Sequence, residues 1–149
     1  MRRRRSLLRR FLNLPSSRWR LLVEAIVCLL CARILLFFLP FRSLTPLFNR
    51  VPSPGTVLLL PEREYLREEI RWAIESIADR LPVAMTCFPR AIAAQAMCRR
   101  RGIPAILFYG VAPLTGKGLT AHVWVLDDTE GVIGHQISGQ YRVLARFPG

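Results

Sequence analysis

The sequence predicts an α+β fold in which N-terminal helices are followed by a small antiparallel sheet. Apolar residues recur at the helical spacing over residues 61–81, and an Ala-rich run over residues 86–102 carries the start and stop signals of another helix. After Gly102 the sequence changes to short apolar and aromatic runs separated by turn residues, which is typical of strands. Helices first and antiparallel strands afterwards is an order found in the α+β class.

The composition combines strong basicity with high hydrophobicity. The 149 residues include 22 Lys and Arg against 10 Asp and Glu, a net charge of +12, and 52% of them are hydrophobic. The length is that of one compact domain, and the apolar content excludes a disordered chain, which pairs high charge with low hydrophobicity. Four cysteines and nine glycines exclude the disulfide-scaffold and collagen-like classes.

The charge divides the chain into two regions. Residues 1–50 hold eleven Arg and one acidic residue, whereas residues 51–149 hold eleven basic and nine acidic residues. We therefore predict an Arg-rich, apolar helical region over residues 1–50. Residues 51–149 are predicted to be the nearly neutral core in which the chemistry takes place. We expect the two regions to form one continuous domain. The basic excess is accordingly no evidence about the substrate.

The longest apolar run lies in the Arg-rich region. Seventeen of the 19 residues from Leu21 to Leu39 are apolar, the exceptions being Glu24 and Arg33, and Pro40 is expected to end the helix. The length is close to that of a membrane span, but an arginine inside the run opposes one. No small-residue cleavage site follows, which opposes a signal peptide. Three alternatives stay open: a packed or membrane-surface helix, which we favour, a true span, and a cleaved signal.

The expected location is the cytoplasm, with membrane association through residues 18–41 left open, since the Arg-rich flank favours the cytoplasmic side. Cys28 and Cys31 form a C-x-x-C pair on the same helix, a spacing that can bind zinc or carry redox chemistry. Neither His nor further Cys lies near them in sequence, so we interpret both as packing residues and expect no metal site.

Two helices are predicted in the core. The first covers residues 61–81 and begins at a proline followed by acidic residues, which suit a helix N-terminus. The second begins at Thr86 or Cys87 with a proline in its first turn, and it ends in three arginines before Gly102.

Four strands follow these helices, with a loop over residues 113–118 and a tight turn over residues 127–131. The predicted strands are residues 103–111, 120–126, 132–136 and 141–147.

Cys87 is the first candidate for chemistry. A thiol at a helix N-terminus faces the positive end of the helix dipole, which favours the reactive thiolate, and Arg90 one turn on can add to that field. The alternative for a single cysteine at this position is a small buried residue, and we prefer that interpretation for Cys98 further along the helix.

His122 is the second candidate and one of only two histidines. A single histidine in a strand is more often a hydrogen-bonded structural residue. However, a cysteine at a helix start followed by a histidine in a strand is the layout of papain-like thiol enzymes, in which the imidazole takes the thiol proton and later protonates the leaving amine. Each candidate therefore strengthens the other.

Five segments stand out in order along residues 60–149: CFPRA at 87–91, RRRGIPA at 99–105, YGV at 109–111, AHVWV at 121–125 and YRVLARF at 141–147. Together they resemble the lasso-peptide biosynthesis B2 proteins. The resemblance implies a transglutaminase-like fold and a cysteine peptidase that removes the leader from a lasso-peptide precursor.

The resemblance implies that Cys87 is the nucleophile and His122 the general base. Many family members have an Asp about a dozen residues after the histidine, and this sequence has Gly134 there. Strand pairing across a turn at residues 128–129 would bring His122 opposite residues 134–136, so Gln136 or a backbone carbonyl nearby is our candidate for orienting the imidazole. Asp128, in the turn, is the other candidate.

The resemblance also implies partners. Residues 1–50 lack the alternating strands of a leader-recognition domain, which implies a separate leader-recognition protein alongside the precursor peptide and an ATP-dependent ring-closing enzyme. Residues 115–118 lack the spacing of a phosphate-binding loop, so we expect no cofactor in this chain.

Three other functions stay open at this point. A transglutaminase-like acyltransferase would keep the fold but resolve the acyl-enzyme with an amine instead of water. A non-catalytic membrane-anchored protein would need only the apolar helix. Nucleic-acid binding by the basic arm ranks last, because the arm has no interleaved aromatic residues beyond Trp19, and we expect no nucleic-acid partner.

Overall fold

The structure is a computed structural model that describes residues 15–39, 59–114, 116, 118–128 and 130–148. Helices precede strands, so the predicted α+β class is confirmed. The elements in chain order are α1 (Ser16–Phe38), α2 (Leu60–Ala78), α3 (Cys87–Arg99), β1 (Ile106–Pro113), β2 (Leu119–Leu126), β3 (Gly131–Ile133), a 3₁₀ helix (His135–Gln140) and β4 (Arg142–Pro148).

The four strands form one antiparallel sheet in the order β3-β2-β1-β4. β1 is central and pairs with β2 along its whole length, from Ile106 opposite Leu126 to Pro113 opposite Leu119. On its other edge β1 pairs with β4, with a register shift between Tyr109 and Gly110. β2 lies between β1 and β3, and β3 pairs with it only at Val125 and Leu126.

The predicted third strand is too long. β3 ends at Ile133, and Gly134 takes a left-handed conformation with φ of 71°. That backbone conformation turns the chain out of the sheet, and the following residues form the 3₁₀ helix instead of continuing the strand. The assignment of residues 134–136 to a strand is thus wrong.

The core lies between the helices and one face of the sheet. α3 contacts both α1 and the sheet, and α2 packs beside it against β3. The buried face of α3 is rich in small residues, and Ala91, Ala93 and Ala94 are fully buried, which lets the neighbouring elements approach closely. Larger side chains of the core come from α1, α2 and the sheet, among them Leu29, Ile74 and Val125.

Arginines of α2 anchor the hairpin that joins β2 to β3. The Arg67 side chain is 2% exposed and pairs with Asp127 at 3.1 Å and Glu130 at 2.7 Å. Arg71 donates from Nε to the carbonyl of Val132 at 2.8 Å and from Nη2 to the carbonyl of Gly131. Because buried charges are stable only when paired, α2 and the hairpin are held as one unit.

α1 packs on α2 and α3 through one face. Leu22, Ala25 and Leu29 on this face are buried in the common core, where a leucine of this kind contributes about 1.5–3 kcal/mol. Two ion pairs flank the packed face: Arg18 with Glu69, and Glu24 with Arg101. By length and composition alone, α1 is also long and apolar enough to cross a membrane. Pro40, predicted to end this helix, lies outside the described residues.

Candidate active site

Cys87 is the first residue of α3, as one of the two predicted start positions required. Thr86 precedes it with extended dihedral angles and makes no side-chain cap hydrogen bond. The Cys87 side chain is half-buried and lines a cleft of about 450 Å³. A helix start presents unpaired backbone N–H groups and a positive dipole end. Thr86 and Cys87, at the start of α3, both line the cleft.

His122 reaches the same cleft from β2, where it lies opposite Gly110 of β1. The fold thus brings together a thiol and an imidazole that are far apart in sequence. No hydrogen bond joins the two side chains among the residues that the structure describes. Hydrogen bonds of this kind are often long in unliganded sites and tighten when substrate binds.

A backbone carbonyl orients the imidazole. Nε2 of His122 lies 2.7 Å from the carbonyl oxygen of Gly134. A carbonyl oxygen can only accept a hydrogen bond, so this contact assigns the proton to Nε2. In the neutral imidazole Nδ1 is then the nitrogen with a free lone pair, available to take a proton from a thiol.

Gly134 is required at this position for two reasons. Its φ of 71° is a backbone conformation that residues other than glycine rarely adopt. A Cβ atom on Gly134 would also lie 3.1 Å from the carbonyl oxygen of Val123 and 3.3 Å from Nε2 of His122. A side chain at this position would therefore disturb both the backbone and the imidazole.

The two predicted orienting side chains lie in different places. Gln136 lines the cleft and is exposed, but makes no hydrogen bond to the imidazole in the described part of the chain. Asp128 does not line the cleft; its carboxylate pairs with Arg63 at 3.1 Å on the outer end of the hairpin. The structure thus gives His122 a backbone partner, which the sequence analysis had kept as an alternative to Gln136.

An aromatic cluster holds the other sides of the imidazole. His122 stacks on Trp124 with ring centroids 5.9 Å apart, and the Tyr141 ring lies 5.1 Å away. The Trp124 indole crosses β1 at Gly110, where a Cβ would lie only 2.9 Å from Cη2 of Trp124. Gly110 and Tyr141 have no predicted role of their own. The only indication of them in the sequence is that they lie in the YGV and YRVLARF segments that carry the resemblance.

Arg90 also lines the cleft, but its charge is engaged elsewhere. Its Nη2 pairs with Asp79 at 2.7 Å, and its Nε donates to the carbonyl of Met85 at 2.8 Å. This arginine therefore ties the loop before α3 to the helix and shapes the wall of the cleft beside Cys87.

The described residues contain no cluster of three or more His, Cys, Asp or Glu side chains suited to hold a metal ion. The chemistry that the site offers with its own groups is nucleophilic attack by a thiol, assisted by an oriented imidazole. An α+β domain with a thiol and an imidazole lining one cleft is typical of proteins that transfer acyl groups through a cysteine.

The comparison with known families agrees with that class. The sequence model of the transglutaminase-like superfamily matches residues 25–146, and the chain belongs to this superfamily. The match begins inside α1 and ends in β4, so it includes both candidate residues. Its members are typically cysteine peptidases or acyltransferases. No curated protein and no solved structure matches the chain significantly.

Proposed function

We propose that this protein is a cysteine endopeptidase that removes the leader from a ribosomally made lasso-peptide precursor. One observation carries the chemical part of the proposal: Cys87 and His122 line one cleft, and the Gly134 carbonyl leaves Nδ1 of His122 available as a base. The substrate part rests on the resemblance of the segments around Cys87 and His122 to the B2 proteins.

The proposed reaction begins with transfer of the Cys87 thiol proton to Nδ1 of His122. The sulfur attacks the carbonyl carbon of the leader–core peptide bond, and the new C–S bond gives a tetrahedral intermediate. The C–N bond then breaks, and the imidazolium gives its proton to the amine of the departing core peptide. Water, deprotonated by the same imidazole, attacks the thioester carbonyl, and the C–S bond breaks with Cys87 leaving as the thiolate. The leader is released with a carboxyl group that ionises, and the imidazolium returns its proton to the thiolate.

Negative charge develops on the carbonyl oxygen during both attacks. The backbone N–H of Cys87, the first residue of α3, has no acceptor within the helix and is therefore our candidate for stabilising this charge. The helix dipole acts in the same direction.

The proposed partners follow from the split system that the resemblance implies. A separate leader-recognition protein captures the precursor peptide and presents it to the cleft. An ATP-dependent enzyme then closes the ring of the released core. We place these steps in the cytoplasm, where ATP is available, and propose no nucleic-acid partner and no cofactor for this chain.

The test is a reconstitution of the purified protein with a leader-recognition protein and its precursor peptide, followed by mass spectrometry of the products. Hydrolysis predicts two fragments whose masses add to that of the precursor plus one water. Cys87→Ala should release nothing, whereas Cys98→Ala, on the same helix, should cleave as the wild type does.

Other outcomes lead to different functions. A fragment joined to an added amine, without uptake of water, would assign the acyltransferase function. Unchanged cleavage by Cys87→Ala would end the enzyme assignment.

A further inference from the structure

Helix α1 has apolar residues on all sides, although the domain covers only one of its faces. Leu22, Ala25 and Leu29 are buried on the packed face. On the opposite face Val23, Val27 and Ile34 are 54–55% exposed. An all-apolar helix is normally covered on all sides, either by protein or by lipid.

The exposed residues form one continuous stripe. At 100° per residue they fall on the half of the helix opposite the packed face, and they extend from Trp19 at the N-terminal end to Phe37 and Phe38 at the other. We call this stripe the outer face of α1. Its apolar members are Trp19, Val23, Val27, Leu30, Ile34, Phe37 and Phe38, all exposed.

The arginines near the outer face indicate the kind of surface that it binds. Arg20 is the one charged residue on the outer face and lies at its N-terminal end, next to the exposed Trp19. Six further arginines are found among residues 1–10, and Glu24 is the only acid in residues 1–50. Arginines and an exposed tryptophan beside an apolar helix face are the features of a surface that binds anionic lipid headgroups.

We propose that the outer face of α1 docks in the plane of an anionic lipid bilayer, with the packed face kept on the protein. No residue of α1 lines the cleft that holds Cys87, so docking leaves the cleft accessible.

The structure opposes the two other occupants. A transmembrane position would pull Leu22, Ala25 and Leu29 out of the common core and break the ion pair of Glu24 with Arg101, whose Oε2–Nη2 distance is 2.6 Å. A second copy packed in parallel on the outer face would bring two Arg20 side chains together, and like charges repel each other.

Vesicle flotation of the full-length protein tests the proposal. The vesicles contain phosphatidylcholine, with or without phosphatidylglycerol. Wild type should float with the anionic vesicles and remain at the bottom with the neutral ones. The double variant Val27→Glu/Ile34→Glu should lose more than about tenfold in affinity for the anionic vesicles, because two apolar contacts are replaced by carboxylates.

The matched control carries the same two charges on another exposed apolar site. Leu144 and Val143 of β4 are 58% and 38% exposed, so Val143→Glu/Leu144→Glu should float as the wild type does. Equal flotation of the two double variants, or failure of the wild type to float, would overturn the proposal.

Two further measurements separate the alternatives. Wild type in cell membranes should be released by alkaline carbonate; retention would mean a span and would contradict docking. Without lipid the protein should be monomeric by light scattering, and a dimer that Val27→Glu/Ile34→Glu dissociates would assign the face to a second copy. Cys87→Ala should float normally, so this result does not depend on the proposed peptidase activity.

Discussion

The two ends of α3 carry the same side chain in opposite surroundings. Cys87, at the start, is half-buried in the cleft beside His122, whereas Cys98, near the end, is completely buried. Burial raises the pKa of the Cys98 thiol to about 12, with a smaller contribution from the carboxylate of Asp127. The comparison shows that position on the helix, not residue type, separates a candidate nucleophile from a packing residue.

The two histidines repeat this comparison on the other side of the cleft. His122 has its Nε2 on the Gly134 carbonyl and faces the cleft. His135, one residue beyond Gly134, does not line the cleft and packs against Gly131. Burial and then Arg71 hold the pKa of His135 below its usual value. The chain therefore provides a matched control for each member of the candidate pair.

The largest expected effect separates the two cysteines. Cys87→Ala should lower the rate of precursor cleavage at least about 1000-fold, because no other group can form the thioester. Cys98→Ala should change this rate by less than about threefold while lowering the melting temperature, since it opens a small gap in the core. The measurements are initial cleavage rates and thermal unfolding. Equal losses of activity in the two variants would show that packing, not chemistry, explains the Cys87 result.

The second effect separates the two histidines. His122→Ala should slow cleavage by about 100-fold to 10,000-fold, the contribution of a general base, with little change in melting temperature. His135→Ala should retain cleavage at close to the wild-type rate and lose some stability, because its ring covers Gly131. A slower His135→Ala enzyme with an unaffected His122→Ala enzyme would exchange the roles assigned to the two residues.

A smaller effect is expected at the residue that orients the imidazole. Gly134→Ala should destabilise the protein by about 1–2 kcal/mol, because φ is positive there. It should slow cleavage by up to about 100-fold, because the new Cβ pushes on Nε2 of His122. Gly139→Ala is the control, since a Cβ there meets nothing within 4 Å. If Gly134→Ala lowers the stability but leaves the cleavage rate and its pH profile unchanged, Gly134 does not position the imidazole of His122.

The smallest effect lies away from the cleft and should touch stability alone. The hydrogen bond from Arg101 holds the pKa of Glu24 below its usual value. The stabilisation is therefore present above the pKa of glutamate in the unfolded chain and is lost as the pH falls through the lower folded-state pKa.

Glu24→Gln should cost about 1 kcal/mol at neutral pH and less in acid, measured by urea unfolding at several pH values. Glu24→Gln should cleave the precursor at the wild-type rate. An activity loss in Glu24→Gln would link α1 to the cleft and weaken the division between the two regions.

The sequence was most informative where local chemistry determines the structure. A proline in the first turn of α3 and a glycine after its last turn predicted a start at Thr86 or Cys87, and the helix begins at Cys87. Alternation placed His122 on a strand. Neither observation could show the carbonyl contact, because that contact depends on the left-handed Gly134 and on the hairpin that Arg67 holds.

The sequence was least informative where tertiary contacts decide. Apolar residues surround α1 on all sides, so no periodicity distinguished its packed face from its outer face. In the same way, the sequence gives no reason for a glycine at position 110 of the predicted strand. The structure supplies the reason, because the Trp124 indole lies across it.

The most direct test of the central claim is to trap the acyl-enzyme. Wild-type protein is mixed with the leader-recognition protein and precursor, quenched in acid within milliseconds to seconds, and analysed by intact mass and peptide mapping. The account predicts an adduct equal to the leader minus one water, attached to Cys87 and absent from Cys87→Ala. Cleavage by the wild type with no adduct at any time, or an adduct on another residue, would contradict it.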